Sequence, residues 1–243
     1  MKITLAGYGN MGHEIEKIAI ERGHSIVAIF DNEADWQNKA MPDCDVIINF
    51  STPATASIIV NRCLDLNIPV VSGTTGWIDQ MKLAGQRAES EEKAFFYASN
   101  FSIGVNIFFE INTKLAGLLG PLDDYKVNIE EIHHIHKKDA PSGTAITLAE
   151  GITEAADRYN GWTMDEEQEG KIKINSERIG EVPGTHIITW NSEVDSIQIK
   201  HTAHSRKGFA QGAVVAAEWL QGRKGFFNMS NLLESGTKID RLS

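Results

Sequence analysis

One stretch near the start of the chain limits the folds open to it. Ile3–Ala6 reads as a short buried strand, Gly7, Tyr8, Gly9, Asn10, Met11 and Gly12 follow at once, and His13–Arg22 has helical spacing. A strand that passes through a glycine-rich turn straight into a helix offers unpaired helix N–H groups beside a backbone that a ligand can approach closely. The second strand, Ser25–Phe30, ends at Asp31, 19 residues beyond the last glycine; a ribose-binding carboxylate is expected ~20 residues on. A Gly-x-Gly-x-x-Gly alone also occurs in turns that bind nothing. Here it follows a strand, opens a helix and precedes an acid at the right distance, which points to a bound dinucleotide. Asp31 has a plainer reading as a turn or capping residue, and the spacing favours ribose. The next residue, Asn32, is not the base that would suit a 2′-phosphate, and Asp31 would repel one, so NADH is favoured over NADPH.

The alternation continues. Asp45–Phe50 reads as a strand, and Pro53 suits a first helical position with Thr52 as N-cap, in a helix to about Leu66. Asn67–Val71 is the next strand, a helix follows over Asp79–Glu92, and Lys93–Ala98 is a further strand. Repeated βα units imply a parallel sheet with helices on both faces, whose ligands sit at the carboxyl ends of the strands. Gly7–Gly12, Asp31, Phe50–Pro53, Gly73–Gly76 and Ala98–Phe101 all fall there. Gly73, Thr74 and Thr75, and then Ala98, Ser99, Asn100 and Phe101, are therefore cofactor candidates.

The character changes after Gly104. Val105–Leu119 reads as an amphipathic helix, Asp124–Ile132 as a strand, and Ser142 or Gly143 as the start of a helix through about Arg158. Lys171–Glu177, Thr185–Asn191 and Asp195–Ala203 are strand-like with polar alternation, which suggests a mixed or antiparallel sheet with one face on helices. Asn160–Gly170, polar and acidic, is expected to be a mobile loop; Gly212–Leu220 returns to helical spacing, and Phe226–Ser230 looks like a short closing element. The fold class expected is α/β: a Rossmann-type parallel-sheet nucleotide domain plus a second α+β domain.

The densest chemistry lies between that strand and helix. Residues 131–145 carry Glu131, His133, His134, His136, Lys137 and Lys138 ahead of Ser142, Gly143 and Thr144. Imidazole exchanges protons near neutral pH, lysine is a mobile cation, and a helix start favours an anion. Together they suit a site that holds a carboxylate and moves a proton. A lone histidine is more often structural, and His-His-x-His could ligate a metal. The run lacks an i, i+4 helical pair or cysteine partners, and its lysines repel a divalent cation, so no metal is expected. If the chain leaves its strand near His133, then His133 and Lys137 reach one ligand while His134 and His136 face another side. Spacing alone leaves open which histidine turns inward. Asp139, Ala140 and Pro141 read as the turn that aims the helix.

Composition removes other classes. At 243 residues the chain suits one large or two modest domains, and 42% hydrophobic residues are ample for a core. A formal charge of −10 argues against nucleic acid, so an anionic substrate must be met by a local basic patch. Cys44 and Cys63 have neither metal nor redox spacing, as expected of reduced thiols in a cytoplasmic protein. The opening strand leaves no room for a leader, and no apolar run approaches the ~20 residues that would span a bilayer.

Residues 131–145 resemble the signature of the dihydrodipicolinate reductase family, and the likeness runs nearly end to end. Gly7–Gly12 is similar to its cofactor loop, Gly73–Thr75 and Ala98–Phe101 to its later cofactor segments, and Arg178–Gly184 and His201–Arg206 to its substrate-domain strands. The resemblance implies reduction of a cyclic unsaturated imine dicarboxylate to tetrahydrodipicolinate by NADH or NADPH, in the diaminopimelate route to lysine. It implies a nucleotide domain over 1–103 and 212–243, and a substrate-binding and oligomerisation domain over 104–211. It further implies closure between the two and a homotetramer joined through the second domains' sheets. His133 matches the proton donor/acceptor and Lys137 the second proton donor, while His134, Gly143 and Thr144 match substrate contacts. Asn32 stands where the family often has a base. Two other readings compete. Another two-domain NAD(P)-dependent dehydrogenase of amino-acid metabolism would not explain the histidine–lysine run, and a nucleotide sensor without chemistry would have no need of His133 and Lys137.

Overall fold

The computed structural model describes residues 1–38, 40–205 and 207–236. Arg206 and residues 237–243, which close two of the expected ranges, lie outside the described residues, as does Lys39. In chain order the elements are β1 (Lys2–Ala6), α1 (Asn10–Glu21), β2 (Ser25–Phe30), α2 (Glu33–Asn38), β3 (Val46–Asn49), α3 (Pro53–Asp65), β4 (Val70–Ser72), α4 (Ile78–Ser90) and β5 (Ala94–Tyr97). Then follow α5 (Ile103–Leu119), β6 (Lys126–His133), α6 (Gly143–Ala155), β7 (Trp162–Thr163), β8 (Ile172–Arg178), β9 (Thr185–Asn191) and β10 (Ser196–Thr202). The last are α7 (Lys207–Leu220), β11 (Gly225–Phe227) and α8 (Met229–Glu234).

The chain divides into two compact units, residues 1–103 with 207–236, and residues 104–205. The first is a six-stranded sheet in the order β11-β5-β4-β3-β1-β2, parallel throughout. Both faces are covered. Ile3, Leu5, Val46, Ile48 and Phe96 share one core with α1 and α7, while Ala6, Ile47, Val70 and Phe95 share another with α3 and α4. This double burial is why the strands read as unbroken apolar runs.

Several expected boundaries move for local reasons. The strand expected from Asn67 starts at Val70, because Asn67 takes a left-handed φ of 55° and closes α3 through its N–H to the Leu64 carbonyl at 3.1 Å. Phe226 belongs to a sixth strand that pairs with β5 (Phe226 with Phe95), and α8 follows it. Helix α2 was not expected from the sequence. Helix α7 begins at Lys207, five residues before Gly212. The glycine is there for contact: a Cβ on it would fall 1.7 Å from the Phe101 carbonyl oxygen.

The second unit is a mixed five-stranded sheet, β10-β9-β6-β8-β7. β6 pairs parallel with β8 and antiparallel with β9. Val127, Ile129, Ile172, Ile174, Ile188 and Trp190 form one core with α5 and α6. The stretch expected as a mobile loop carries β7, with Trp162 paired to Ile172 and Thr163 buried. The helix expected to reach Arg158 stops at Ala155, and the Arg158 guanidinium turns back onto the Leu122 and Tyr125 carbonyls.

Gly212→Ala is expected to destabilise the first unit by about 1–3 kcal/mol, because backbone must move to admit the methyl group. Urea unfolding reads this directly; an unchanged midpoint would mean that the Phe101 carbonyl yields without penalty.

Candidate active site

In the first unit the strand order reverses between β1 and β3, where an open parallel sheet leaves a crevice at its carboxyl edge. Gly7 turns there with φ 85°, and a Cβ on it would lie 2.4 Å from the Phe50 carbonyl oxygen. A Cβ on Gly12 would lie 2.6 Å from the Gly7 carbonyl oxygen, whereas one on Gly9 would meet nothing within 4 Å. Gly7 and Gly12 are thus required by the fold, whereas the space beside Gly9 is open. Gly9 is also the N-cap of α1 and supplies no side-chain cap, so the first-turn N–H groups of Asn10, Met11 and Gly12 face outward for an anion.

The adjoining cleft, about 340 Å³, is lined by Gly9, Asp31, Asn32, Trp36, Thr52 and Thr55 among others. Asp31 Oδ1 accepts the Tyr8 N–H at 2.7 Å, which fastens the glycine turn to the end of β2. Tyr8 itself is tied back: its hydroxyl donates to Glu16 and its ring lies 3.9 Å from that of His13. Trp36, edge-on to Phe30 at 4.6 Å, and Thr55 were not anticipated from the sequence. Helix α2 depends on the contact with Phe30, a tertiary contact that no local pattern announces.

The later segments follow the same edge. A Cβ on Gly73 would strike the Phe50 ring at 2.3 Å, and the buried Thr74 donates its hydroxyl to the Ser51 carbonyl at 3.5 Å. Thr75 and Ser99 are exposed, Asn100 is half-buried, and Ala98 is buried. Phe101 is a core side chain whose ring lies 5.6 Å from Phe50 and 5.9 Å from Phe96, so only its backbone is left to meet a ligand. These residues fit a dinucleotide: open space beside a glycine, uncapped N–H groups and a carboxylate at the next strand end.

In the second unit the site is built on β6. Alternation along the strand turns Glu131 and His133 to the helix-covered face, both buried. A turn closed by the Lys137 N–H to the His134 carbonyl at 3.1 Å ends the strand and brings Lys137 back. Lys137 Nζ pairs with the Asp139 carboxylate at 2.8 and 2.9 Å, so Asp139 does more than shape the turn. Ala140–Pro141 is a cis peptide. His134 keeps Nδ1 buried without a partner among the described residues, and His136 lies 3.4 Å from Glu181 at the surface.

Ser142 caps α6, its Oγ accepting the Ala145 N–H at 3.2 Å, and its carbonyl takes the Ile146 N–H at 3.0 Å. The N–H groups of Gly143 and Thr144 have no acceptor among the described residues. They form a two-donor cradle for a carboxylate, as a helix start offers.

Glu131 is a hub to which the sequence alone assigns no role. It pairs in register with Ser176 on β8 and His186 on β9. Its carboxylate accepts the Ser142 N–H at 3.1 Å, the Ser176 hydroxyl at 2.8 Å and Arg178 Nη2 at 3.3 Å. His133 Nδ1 and His186 Nε2 each lie 3.6 Å from Oε2. Burial alone would raise its pKa; the nearby His186 and the hydrogen bonds from Ser142 and Ser176 outweigh that and hold the group well below the usual carboxylate range. Burial pushes His133 down to about 4, against the opposing pull of Glu131. Glu131, His133 and His186 bring three ligand atoms within 4.8 Å of one another. Oε1 already takes the Ser142, Ser176 and Arg178 donors and Arg178 adds a positive charge, so this set does not suit a divalent ion.

Two family models cover most of the chain: "Dihydrodipicolinate reductase, N-terminus" over residues 1–101 and "Dihydrodipicolinate reductase, C-terminus" over residues 104–233. A relative from Christiangramia forsetii, named 4-hydroxy-tetrahydrodipicolinate reductase, is 50% identical over 96% of this chain and 98% of its own. One of the same name from Akkermansia muciniphila is 36% identical over 93% and 94%. In fold, the chain is similar to a dipicolinate-bound dihydrodipicolinate reductase from Paenisporosarcina sp. TG-14, with TM-score 0.77 and 23% identity over 96% of this chain and 99% of that one.

Gly184 borders the buried histidine, and a Cβ there would sit 3.1 Å from His133 Nε2. Gly184 also has φ 157°, a conformation that favours glycine, so Gly184→Ala is expected to lower the thermal midpoint and, if the His133 ring takes part in turnover, to lower turnover about tenfold or more by displacing it. Unchanged turnover would show that the Nε2 face is not the working one.

Proposed function

Because the chain belongs to the dihydrodipicolinate reductase family, we propose that its reaction is carried by His133 and Lys137 as proton donors, with His134, Gly143 and Thr144 holding the substrate. The chain is an NAD(P)H-dependent oxidoreductase, a 4-hydroxy-tetrahydrodipicolinate reductase of the diaminopimelate route to lysine. The bound nicotinamide supplies a hydride to a cyclic unsaturated imine dicarboxylate, and tetrahydrodipicolinate results.

Hydride addition to a conjugated carbon leaves an electron pair on the ring that a proton must quench. His133, carrying a proton on Nε2, gives it up and keeps the N–H bonding pair. Lys137 supplies positive field and a second source of protons. One substrate carboxylate takes the N–H groups of Gly143 and Thr144, and His134 contacts the ring or its second carboxylate. The observation that carries this reading is the pair of unclaimed N–H groups at the start of α6, on the same helix cap that Glu131 ties to the His133 strand.

The first unit, to which the chain returns at Lys207, is the dinucleotide domain in this reading, and the second unit the substrate and oligomerisation domain. Gly7–Gly12 and the α1 N–H groups would hold the pyrophosphate of the dinucleotide, Asp31 its ribose, and Gly73–Thr75 and Ala98–Phe101 its nicotinamide half. NADH is favoured. Asp31 Oδ1 is engaged by Tyr8, which leaves Oδ2 for a ribose hydroxyl, and no Lys or Arg is among the described residues lining the cleft. The protein acts in the cytoplasm as a homotetramer. In support, Lys126, Asn128 and Glu130 lie on the sheet face of the second unit away from its helices, and no helix among the described residues is long and apolar enough to cross a membrane.

His133→Gln is expected to cut kcat by about 10²–10³-fold with the circular dichroism spectrum preserved. The assay follows loss of reduced-nicotinamide absorbance on substrate made in place from pyruvate and aspartate semialdehyde; full turnover would remove His133 from the reaction. Asp31→Ala is expected to weaken NADH by about tenfold while leaving NADPH nearly unaffected. Parallel titrations check this, and equal losses for the two cofactors would contradict the ribose contact.

A further inference from the structure

We infer that Glu131 is a positioning residue for proton transfer: it holds the His133 ring with Nδ1 toward its own carboxylate and Nε2 toward Gly184, and it balances the charge of the imidazolium. The inference rests on the reading of His133 as the proton donor.

Three observations lead to it. His133 Nδ1 is buried and has no hydrogen-bond partner among the described residues. Glu131 Oε2 is 3.6 Å away, longer than a hydrogen bond but at ion-pair distance. A Cβ built on Gly184 would lie 3.1 Å from the other ring nitrogen. The ring therefore has one anionic neighbour at Nδ1, while at Nε2 a glycine omits the side chain that would crowd it. Glu131 cannot swing away, since the Ser142 N–H, the Ser176 hydroxyl and the Arg178 guanidinium hold it from β8 and the α6 cap.

The charges around the ring sort the roles. Burial, His186, Lys137 and Arg178 all oppose a proton on His133, and Glu131 alone favours one. His186 stands edge-on to His133 with ring centroids 5.1 Å apart, its Nε2 engaged by Ser142 Oγ at 3.1 Å. Lys137 and Arg178 are drawn off in part by Asp139 and by Glu131 itself. When His133 gives its Nε2 proton to the reduced ring, the N–H bonding pair stays on Nε2. The neutral imidazole that remains carries its hydrogen on Nδ1, facing Oε2. Glu131 stays ionised throughout, because its donors stabilise the charged form. It neither donates nor takes a proton.

A purely structural role for this buried carboxylate is the competing account, and the test separates them. Histidine-labelled protein is examined by ¹⁵N NMR, and kcat and KM are measured against pH for wild type, Glu131→Gln and His133→Gln. In wild type the neutral His133 is expected as the Nδ1–H tautomer; an Nε2–H tautomer overturns the inference whether or not any variant folds. Glu131→Gln is expected to lower kcat at least about tenfold with the dicarboxylate KM within about threefold. The kcat limb that reports His133 should move toward acid, since the anion that favours the imidazolium is gone. Glu131→Gln with a wild-type kcat profile and only a lower thermal midpoint would leave Glu131 structural. Full turnover in His133→Gln would instead sink the donor reading on which the inference stands.

Discussion

Glu131 places a carboxylate where no solvent reaches it, and the geometry of the second unit's site follows from how that charge is satisfied. Removing a carboxylate from water costs several kcal/mol unless donors replace its hydration. Here the donors come from β8, from β9 and from the residue that caps α6. Each must sit within hydrogen-bond or ion-pair reach, so satisfying the charge also fixes the cap relative to the strand. The cap in turn leaves the Gly143 and Thr144 N–H groups unclaimed. His133 and the two N–H groups of the α6 cap are thereby held in register by one side chain.

The first unit solves a different problem with backbone alone. Its carboxyl-edge crevice is shaped by close approaches that side chains would forbid, Gly7 against Phe50 and Gly12 against Gly7. Asp31 then commits one oxygen to the Tyr8 N–H. The carboxylate read from spacing as a ribose ligand is therefore also a brace for the glycine turn. The two roles are compatible because a carboxylate has two oxygens and several lone pairs.

Much of this architecture is legible in the order of residues alone. The glycine turn, Thr52 ahead of Pro53 and Ser142 ahead of Gly143 are local signals, and local backbone chemistry decides them; α3 is capped by Thr52 and α6 by Ser142. The period-two pattern of the second half points to a mixed sheet, as found. What escapes such a reading is non-local. β11 is three residues long and exists because β5 offers it an edge. β7 is two residues and exists because β8 does. Asn67 passes for strand because its left-handed turn carries no glycine. In the site, His133 and Lys137 stand out by residue type, whereas Glu131, His186, Ser176 and Arg178 matter through register across three strands. A pairing register is set by the whole sheet, so their convergence is invisible to a reading of one segment at a time.

Register also bears on how an acidic chain receives a dianion. With a net charge of −10, long-range attraction is of no help, and the two cations nearest His133 are already engaged, Lys137 by Asp139 and Arg178 by Glu131. The two pairs are not alike. Asp139 is more than half exposed at 57%, so its bond to Lys137 is worth at most about 1 kcal/mol and exchanges readily for a substrate carboxylate. Glu131 is fully buried, and separating it from Arg178 would strand a charge in the core at a cost of about 3–5 kcal/mol. The arriving dicarboxylate thus finds one cation that is easily recruited and one that is not. The first suits a residue that must move to its ligand; the second suits one that must keep its neighbours still.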